Sequence, residues 1–83
     1  MKQITNTFTM DPKERKRVDR IIQNVTKSIK AAEDNGARSA VFPITYYNEF
    51  YFRVRTLCTR AGYKIVPAKT EDGRRPLFDL ITW

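Results

Sequence analysis

One long amphipathic helix, with a start signal and a stop signal at its ends, constrains this chain more than any other feature of its sequence. Asp11-Pro12 opens it, because Asp is a favoured N-cap and Pro is favoured at the first helical position. Asn35-Gly36 supplies a left-handed C-cap. Between these signals, apolar residues recur at helical spacing: Val18, Ile21, Ile22, Val25, Ile29 and Ala32. The sequence therefore predicts a helix from about Pro12 to Asp34.

The remaining predicted elements are shorter and follow in the order strand, helix, strand, strand. Residues 39–44 form an apolar run that Pro43 ends at an edge or in a turn. The second helix is predicted to begin within residues 45–48 and to end at Gly62. Residues 63–66 and 77–83 are predicted strands, joined as a hairpin by a long loop. The apolar stripe of the second helix is predicted to contain Tyr47, Phe50, Tyr51, Val54, Leu57, Cys58 and Ala61.

These elements predict an α+β fold with the order (β)αβαββ. Residues 2–9 form either a first strand or a disordered start. The link through the second helix is long enough for a parallel crossover, and the last strand is apolar enough to insert between the two parallel strands, as in a split βαβ unit. We therefore expect a single-layer mixed sheet of three or four strands, with both helices on one face.

Length and composition favour binding over catalysis. The chain has 83 residues, no His, one Cys and a net charge of +7. One domain, residues 1–83, is expected for this length. The commonest general base and metal ligand is missing, and a single Cys builds neither a zinc site nor an internal disulfide. We therefore expect no enzyme activity, no cofactor and no metal, with a metal-dependent nuclease of Asp and Glu alone as the catalytic alternative.

The same composition indicates a location. A lone Cys fits a reducing compartment. No apolar run approaches the length of a membrane span, and the polar residues 1–10 do not resemble a signal peptide. We therefore expect a cytoplasmic protein without membrane contact.

A basic stripe is predicted on the face of the first helix opposite its apolar side. At about 100° per residue it contains Lys13, Lys16, Arg17, Arg20 and Lys27. Positive charge in the first turns opposes the helix dipole at about 0.3–1 kcal/mol per charge, so stability alone does not favour it there. The stripe is either a contact surface for an acidic protein surface or nucleic acid, or an ordinary solvated face.

Phe52 is a second candidate contact residue. It points away from the predicted apolar stripe of the second helix and lies beside Arg55, which suits contact with a nucleobase or a protein pocket. The alternatives are an irregular helix, or a cover supplied by the sheet or by a dimer mate. Glu49 and Arg53 are predicted to form an i,i+4 ion pair within this helix.

Arg74 and Arg75 form a third candidate. They follow the Asp72-Gly73 turn signal. Two adjacent arginines at a hairpin tip suit a phosphate or an acidic side chain. The alternative is a loop that only aids solubility.

Two resemblances add to this interpretation. Over about residues 29–83 the chain contains, in order, Glu33-Asp34-Asn35-Gly36, Val41-Phe42-Pro43-Ile44, Ala61-Gly62, Tyr63-Lys64-Ile65-Val66, Asp72-Gly73 and Ile81-Thr82-Trp83. In that pattern it resembles a class of short accessory proteins encoded by bacteriophages, some of which bind and inhibit host machinery. With a first strand, its topology is similar to that of the Alba family and of the C-terminal domain of translation initiation factor 3, which bind nucleic acid. Neither resemblance assigns a role to a residue.

The sequence thus predicts a small non-enzymatic basic protein, encoded by a phage, that binds and modulates a host or phage macromolecule. A protein target, such as a host defence or regulatory factor, is favoured because surface aromatic and arginine side chains suit an interface of about 800 Å² per partner. The first alternative is direct binding of DNA or RNA through the first helix and the loop at residues 74–75. The second is a structural homodimer or virion component, since the last strand is apolar on both faces.

Overall fold

The computed structural model describes residues 2–68 and 78–83. Those residues form two helices and three strands in the order helix, strand, helix, strand, strand, which confirms the predicted α+β class and element order. The elements are α1 (Pro12–Asp34), β1 (Ser39–Phe42), α2 (Tyr51–Arg60), β2 (Lys64–Pro67) and β3 (Asp79–Thr82).

Helix α1 has the predicted bounds because its end signals are local. The Asp11 carboxylate accepts a hydrogen bond from the Glu14 amide at 2.9 Å, which satisfies one of the free N–H groups of the first turn. At the other end the Ala37 amide donates to the Ala32 carbonyl, which forms a Schellman motif. Gly36 adopts the φ of 77° that this motif requires.

The sheet has the strand order β1-β3-β2, so the last strand lies between the other two as predicted. Ile81 of β3 pairs with Ala40 on one side and Ile65 on the other. Both pairings are antiparallel, so the prediction of a mixed sheet is wrong at the level of hydrogen-bonded neighbours. Strands β1 and β2 run in the same direction, but β3 separates them and therefore no parallel ladder forms between them.

One core joins both helices to a single face of the sheet. Phe42, Ile65 and Ile81 point into it from the three strands. The helices contribute Val18, Ile22, Val25, Ile29, Tyr51, Val54, Leu57 and Cys58. On the opposite face the alternation places Val41, Leu80 and Val66 in one row across the strands. The two-layer arrangement, with both helices on one side, is thus as predicted.

The N-terminal segment matches neither alternative proposed for it. Residues 2–10 pair with no strand of the sheet, yet Ile4 is buried in the core. The Tyr63 hydroxyl donates to the Lys2 carbonyl at 2.7 Å, and the Lys2 ammonium donates to the Gly62 carbonyl at 3.1 Å. Lys2 therefore places a positive charge at the carboxyl end of α2, where the helix dipole favours it.

Helix α2 begins later than predicted, at Tyr51 rather than within residues 45–48. The chain first makes a turn in which the Asn48 amide donates to the Thr45 carbonyl, and the Asn48 side chain accepts from the Phe50 amide at 2.8 Å. Because the amide and side chain of Asn48 form these bonds in a turn and not in a helix, the apolar stripe of α2 starts at Phe50. Tyr47 lies off that stripe and is 87% exposed, so its assignment to the apolar face was wrong.

Candidate partner-binding surface

Four of the five predicted stripe cations line one open groove of about 500 Å³, which we call the basic groove. One wall is the amino-terminal half of α1, and the other is the turn that precedes α2. The residues around it are Lys13, Lys16, Arg17, Arg20, Ile21, Asn48, Glu49 and Phe50. The groove therefore combines a cationic rim with the apolar side chains of Ile21 and Phe50.

Helical spacing explains why these cations meet on one side. Lys13, Lys16, Arg17 and Arg20 follow the helical spacing i, i+3, i+4, i+7, so they lie on one face of α1 over about 10 Å. Lys27 lies on the same side of the helix and is exposed, but it is seven residues beyond Arg20 and does not line the groove.

Two ion pairs connect α1 to the second half of the molecule. Arg17 lies 3.3 Å from Glu49, and Arg53 lies 3.5 Å from Glu14. The predicted pair between Glu49 and Arg53 is wrong, because Glu49 precedes the first turn of α2 and each residue finds its partner on or near α1 instead. The side chains of Arg17 and Glu49 are more than two-thirds exposed, so their pair contributes at most about 1 kcal/mol.

The groove keeps an excess of positive charge. Among the residues that the structure describes, Lys13, Lys16 and Arg20 form no ion pair. Among the described residues that line the groove, Glu49 is the one carboxylate, against four cations. An anionic group that enters the groove therefore meets a net attractive field.

An aromatic patch of three exposed rings follows the groove along the chain. Phe52 is 58% exposed, as its predicted direction required, and Tyr46 and Tyr47 are 45% and 87% exposed. Tyr46 contacts the Tyr47 ring at a centroid distance of 5.7 Å and the Phe52 ring at 5.5 Å, both edge to face. We call Tyr46, Tyr47 and Phe52 the aromatic patch.

Tyr51 connects this patch to the core. Its ring contacts Tyr46, Phe52 and, at 5.9 Å, the buried ring of Phe42. Its hydroxyl donates a hydrogen bond to the Asp79 carboxylate at the start of β3. Burial, together with this carboxylate, raises the pKa of Tyr51, while nearby Arg55 acts in the opposite direction. Tyr51 therefore stays protonated and serves as a structural link between α2 and the sheet.

Among the described residues, neither a reactive thiol nor a cluster of metal ligands lies at the groove. Cys58 is fully buried, and its burial raises the pKa of the thiol from 9.0 to about 12, so the nucleophilic thiolate does not form near neutral pH. Within residues 2–68 and 78–83, no three His, Cys, Asp or Glu side chains gather as metal ligands would.

Neither described helix has the length and apolarity to cross a bilayer. The candidates Arg74 and Arg75 lie outside the described residues.

Sequence reasoning missed two parts of this surface. It placed Glu49 inside a helix and Tyr47 on a buried stripe, because a continuous helical wheel from residue 45 onward satisfied the apolar spacing. The signal that was available is Asn48, a residue whose side chain competes with helix formation by bonding to nearby backbone amides. A turn ending at Asn48 moves both Tyr47 and Glu49 to the surface.

Comparison with known proteins adds no relative: no protein-family model, no curated protein and no solved structure matches this chain. The resemblance to phage accessory proteins and the topological similarity to the Alba family therefore stay predictions.

Proposed function

We propose that this chain is a non-enzymatic binding protein whose basic groove receives an acidic segment of a partner protein. The observation that carries the proposal is the convergence of Lys13, Lys16, Arg17 and Arg20 on one groove with an apolar lining. Protein interfaces combine apolar contact with complementary charge in this way.

The chemistry of the groove supports a carboxylate-rich partner. Glu49 already places a carboxylate beside Arg17, so that position accepts the group that an acidic partner would present. Because the existing pair is exposed, its displacement costs little. The proposal has three further parts: the protein is encoded by a phage, it acts on a host regulatory factor, and it works in the cytoplasm. Identification of the partner tests all three.

Binding of a labelled oligoglutamate peptide, followed by fluorescence polarisation at low salt, tests the proposal. Replacing Lys16 and Arg20 together by Gln should weaken binding about fivefold to thirtyfold, since each exposed charge contact contributes about 0.5–1 kcal/mol. Lys27→Gln is the control, because it removes one positive charge from the same helix outside the groove. Equal losses in the control and the double variant would refute a groove-specific site.

Direct binding of nucleic acid is the second candidate, and the aromatic patch next to a cationic groove favours it. Single-strand binding proteins combine these two features, with bases stacked on rings and phosphates held by Lys and Arg. Short single-stranded and duplex oligonucleotides in the same assay distinguish the candidates. Nucleic acid would be favoured if the protein bound an oligonucleotide more tightly than oligoglutamate. The logarithm of that affinity should also fall linearly with the logarithm of the salt concentration.

A structural homodimer has less support, because the free face of the sheet is small. The free sheet face carries the row Val41, Leu80 and Val66, but its three strands are each four residues long. With strands about 4.8 Å apart and a rise of about 3.3 Å per residue, that face covers about 200 Å², compared with about 800 Å² per partner in a stable interface. Light scattering at high concentration tests this: a stable dimer would show that other surfaces contribute.

A further inference from the structure

We propose that the aromatic patch is the second half of the binding surface and takes a large apolar side chain, aromatic or aliphatic, that flanks the acidic run of the partner protein. This inference rests on the proposed function of the basic groove and names the partner's recognition element more closely. That element is a short acidic segment with one bulky apolar anchor next to it.

The two halves are continuous along the chain. Asn48, Glu49 and Phe50 form one wall of the groove, and Tyr47 directly precedes them. Consecutive Cα atoms are about 3.8 Å apart, so the patch begins within one residue of the wall. A partner segment that follows this wall toward Asn48 would therefore next meet Tyr47.

The patch is held in place before any partner arrives. Tyr46 meets Tyr51 at a centroid distance of 5.5 Å, and Phe52 meets Tyr51 at 5.1 Å. Tyr51 is itself buried against Phe42 and bonded to Asp79. Each edge-to-face pair contributes about 0.5–1.5 kcal/mol beyond its burial, which limits ring motion and lowers the entropy lost on binding.

Ring geometry favours an inserted side chain over a stacked base. The contacts of Tyr46 with Tyr47 and Phe52 are edge to face, with interplanar angles of 85° and 76°. At each such contact the edge of one ring covers part of the face of another, and a base needs an open face to stack. This edge-to-face arrangement is compatible with an inserted side chain.

Charge and apolar exposure together identify the occupant. The chain is strongly basic, so a second copy would bring like charges together at this surface. A partner segment with its own carboxylates removes that repulsion and brings an apolar group to the rings. Tyr is among the residue types enriched in the hot spots that dominate interface energies, and two of the three rings are Tyr.

The test uses the whole protein and four labelled peptides. Each contains a run of four glutamates, which spans about 13 Å when extended, compared with the about 10 Å of α1 along which the four cations lie. A Gly-Gly spacer joins the run to Trp, placed before or after it, and the two matched peptides carry Ser in place of Trp. We expect the better Trp peptide to bind the parent protein about tenfold more tightly than its Ser partner.

The variants separate this inference from the proposed function. Replacing Tyr47 and Phe52 together by Ser should abolish the tenfold preference for Trp while leaving the affinity for the Ser peptide unchanged. Lys16→Gln with Arg20→Gln should weaken both peptides and keep the preference. Val66→Thr, which alters a half-exposed apolar residue on the other side of the sheet, should change neither, and circular dichroism verifies that each variant is folded.

Each other outcome has a definite meaning. A Trp preference that is absent from the parent, or that survives loss of both rings, overturns the inference and leaves the groove proposal standing. Absence of any peptide binding to the parent protein overturns both the inference and the groove proposal. Tight binding of a single-stranded oligonucleotide that depends on Tyr47 and Phe52, with no Trp preference among the peptides, overturns the protein partner and assigns the rings to base stacking.

Discussion

The two helices end alike and begin differently. Both close with a Schellman motif, through the Ala37 amide in α1 and through the Tyr63 amide in α2, which donates to the Cys58 carbonyl. Helix α1 opens on an Asp side-chain cap, whereas the N-cap residue of α2, Phe50, supplies no side-chain hydrogen bond. Local chemistry therefore fixes both ends of α1 but only one end of α2.

Length increases this contrast. Helix α1 has 23 residues and α2 has 10. Isolated helices shorter than about 12–15 residues are marginal in water, so α2 depends on packing for its existence. The open amino-terminal side of α2 is also where the aromatic patch lies, while the capped amino-terminal half of α1 presents the cations. Each half of the proposed surface thus lies near a helix start.

The largest expected effect comes from opening the shared core. Ile29→Ala in α1 and Leu57→Ala in α2 should each lower the free energy of unfolding by about 2–5 kcal/mol, because both side chains are almost fully buried. Urea denaturation followed by circular dichroism measures this. If Leu57→Ala left the urea midpoint unchanged, α2 would not be part of the cooperative core and the contrast drawn above would fail.

A smaller loss should follow Tyr51→Phe, which removes the hydroxyl that anchors α2 to β3. The half-buried Asp79 carboxylate then loses its donor, and we expect about 1–3 kcal/mol of lost stability. Tyr47→Phe is the matched control, since that side chain is almost fully exposed. Equal urea midpoints for the two variants would show that α2 does not depend on this link.

Loss of the α1 cap should cost less again. Asp11→Ala removes the acceptor of the Glu14 amide and should lower stability by about 1 kcal/mol. Thr9→Ala is the nearby control, because Thr9 is exposed and outside the helix. Helix α2 has no such cap, so a substitution at Phe50 removes no capping hydrogen bond. An unchanged midpoint for Asp11→Ala would mean that packing, not capping, fixes the start of α1.

Glu49→Gln should have the smallest effect on stability. It should strengthen the binding of an acidic peptide, whereas loss of the groove cations should weaken it. The exposed pair with Arg17 contributes about 0–1 kcal/mol to folding. Its loss frees Arg17 and removes the one carboxylate of the groove lining, so the affinity for oligoglutamate should rise about twofold to fivefold. Glu14→Gln removes the same charge outside the groove lining and serves as the control. Weaker binding by Glu49→Gln would mean that the carboxylate itself helps to hold the partner.

The parts of the fold that were predictable are those decided by nearest neighbours in sequence. Asp11 and Gly36 gave both ends of α1, and Gly62 gave the end of α2. The insertion of β3 between β1 and β2 was also predictable, because a strand with apolar residues on both faces belongs in the middle of a sheet. Its antiparallel pairing on both sides follows because β3 is antiparallel to β2 and β1 runs in the same direction as β2.

The candidate surface was predictable only in part. Helical spacing alone placed Lys13 and Arg20 on one side of α1, and it showed that Phe52 faces outward. It did not show that the turn before α2 folds against that side, because the contact joins residues about 30 positions apart in the chain, as in the pair between Arg17 and Glu49. Periodicity carries no information about such contacts.

By itself the sequence determined the element order, the bounds of α1, the absence of histidine chemistry and the positive charge of one helix face. Each of these depends on residue identity or on hydrogen bonds within a few positions. Only the tertiary structure decided where α2 begins, which carboxylate pairs with Arg17, and that the cations of α1 and the turn before α2 line one groove. Those features come from packing between distant segments, where many weak contacts are satisfied together and no single residue specifies the result.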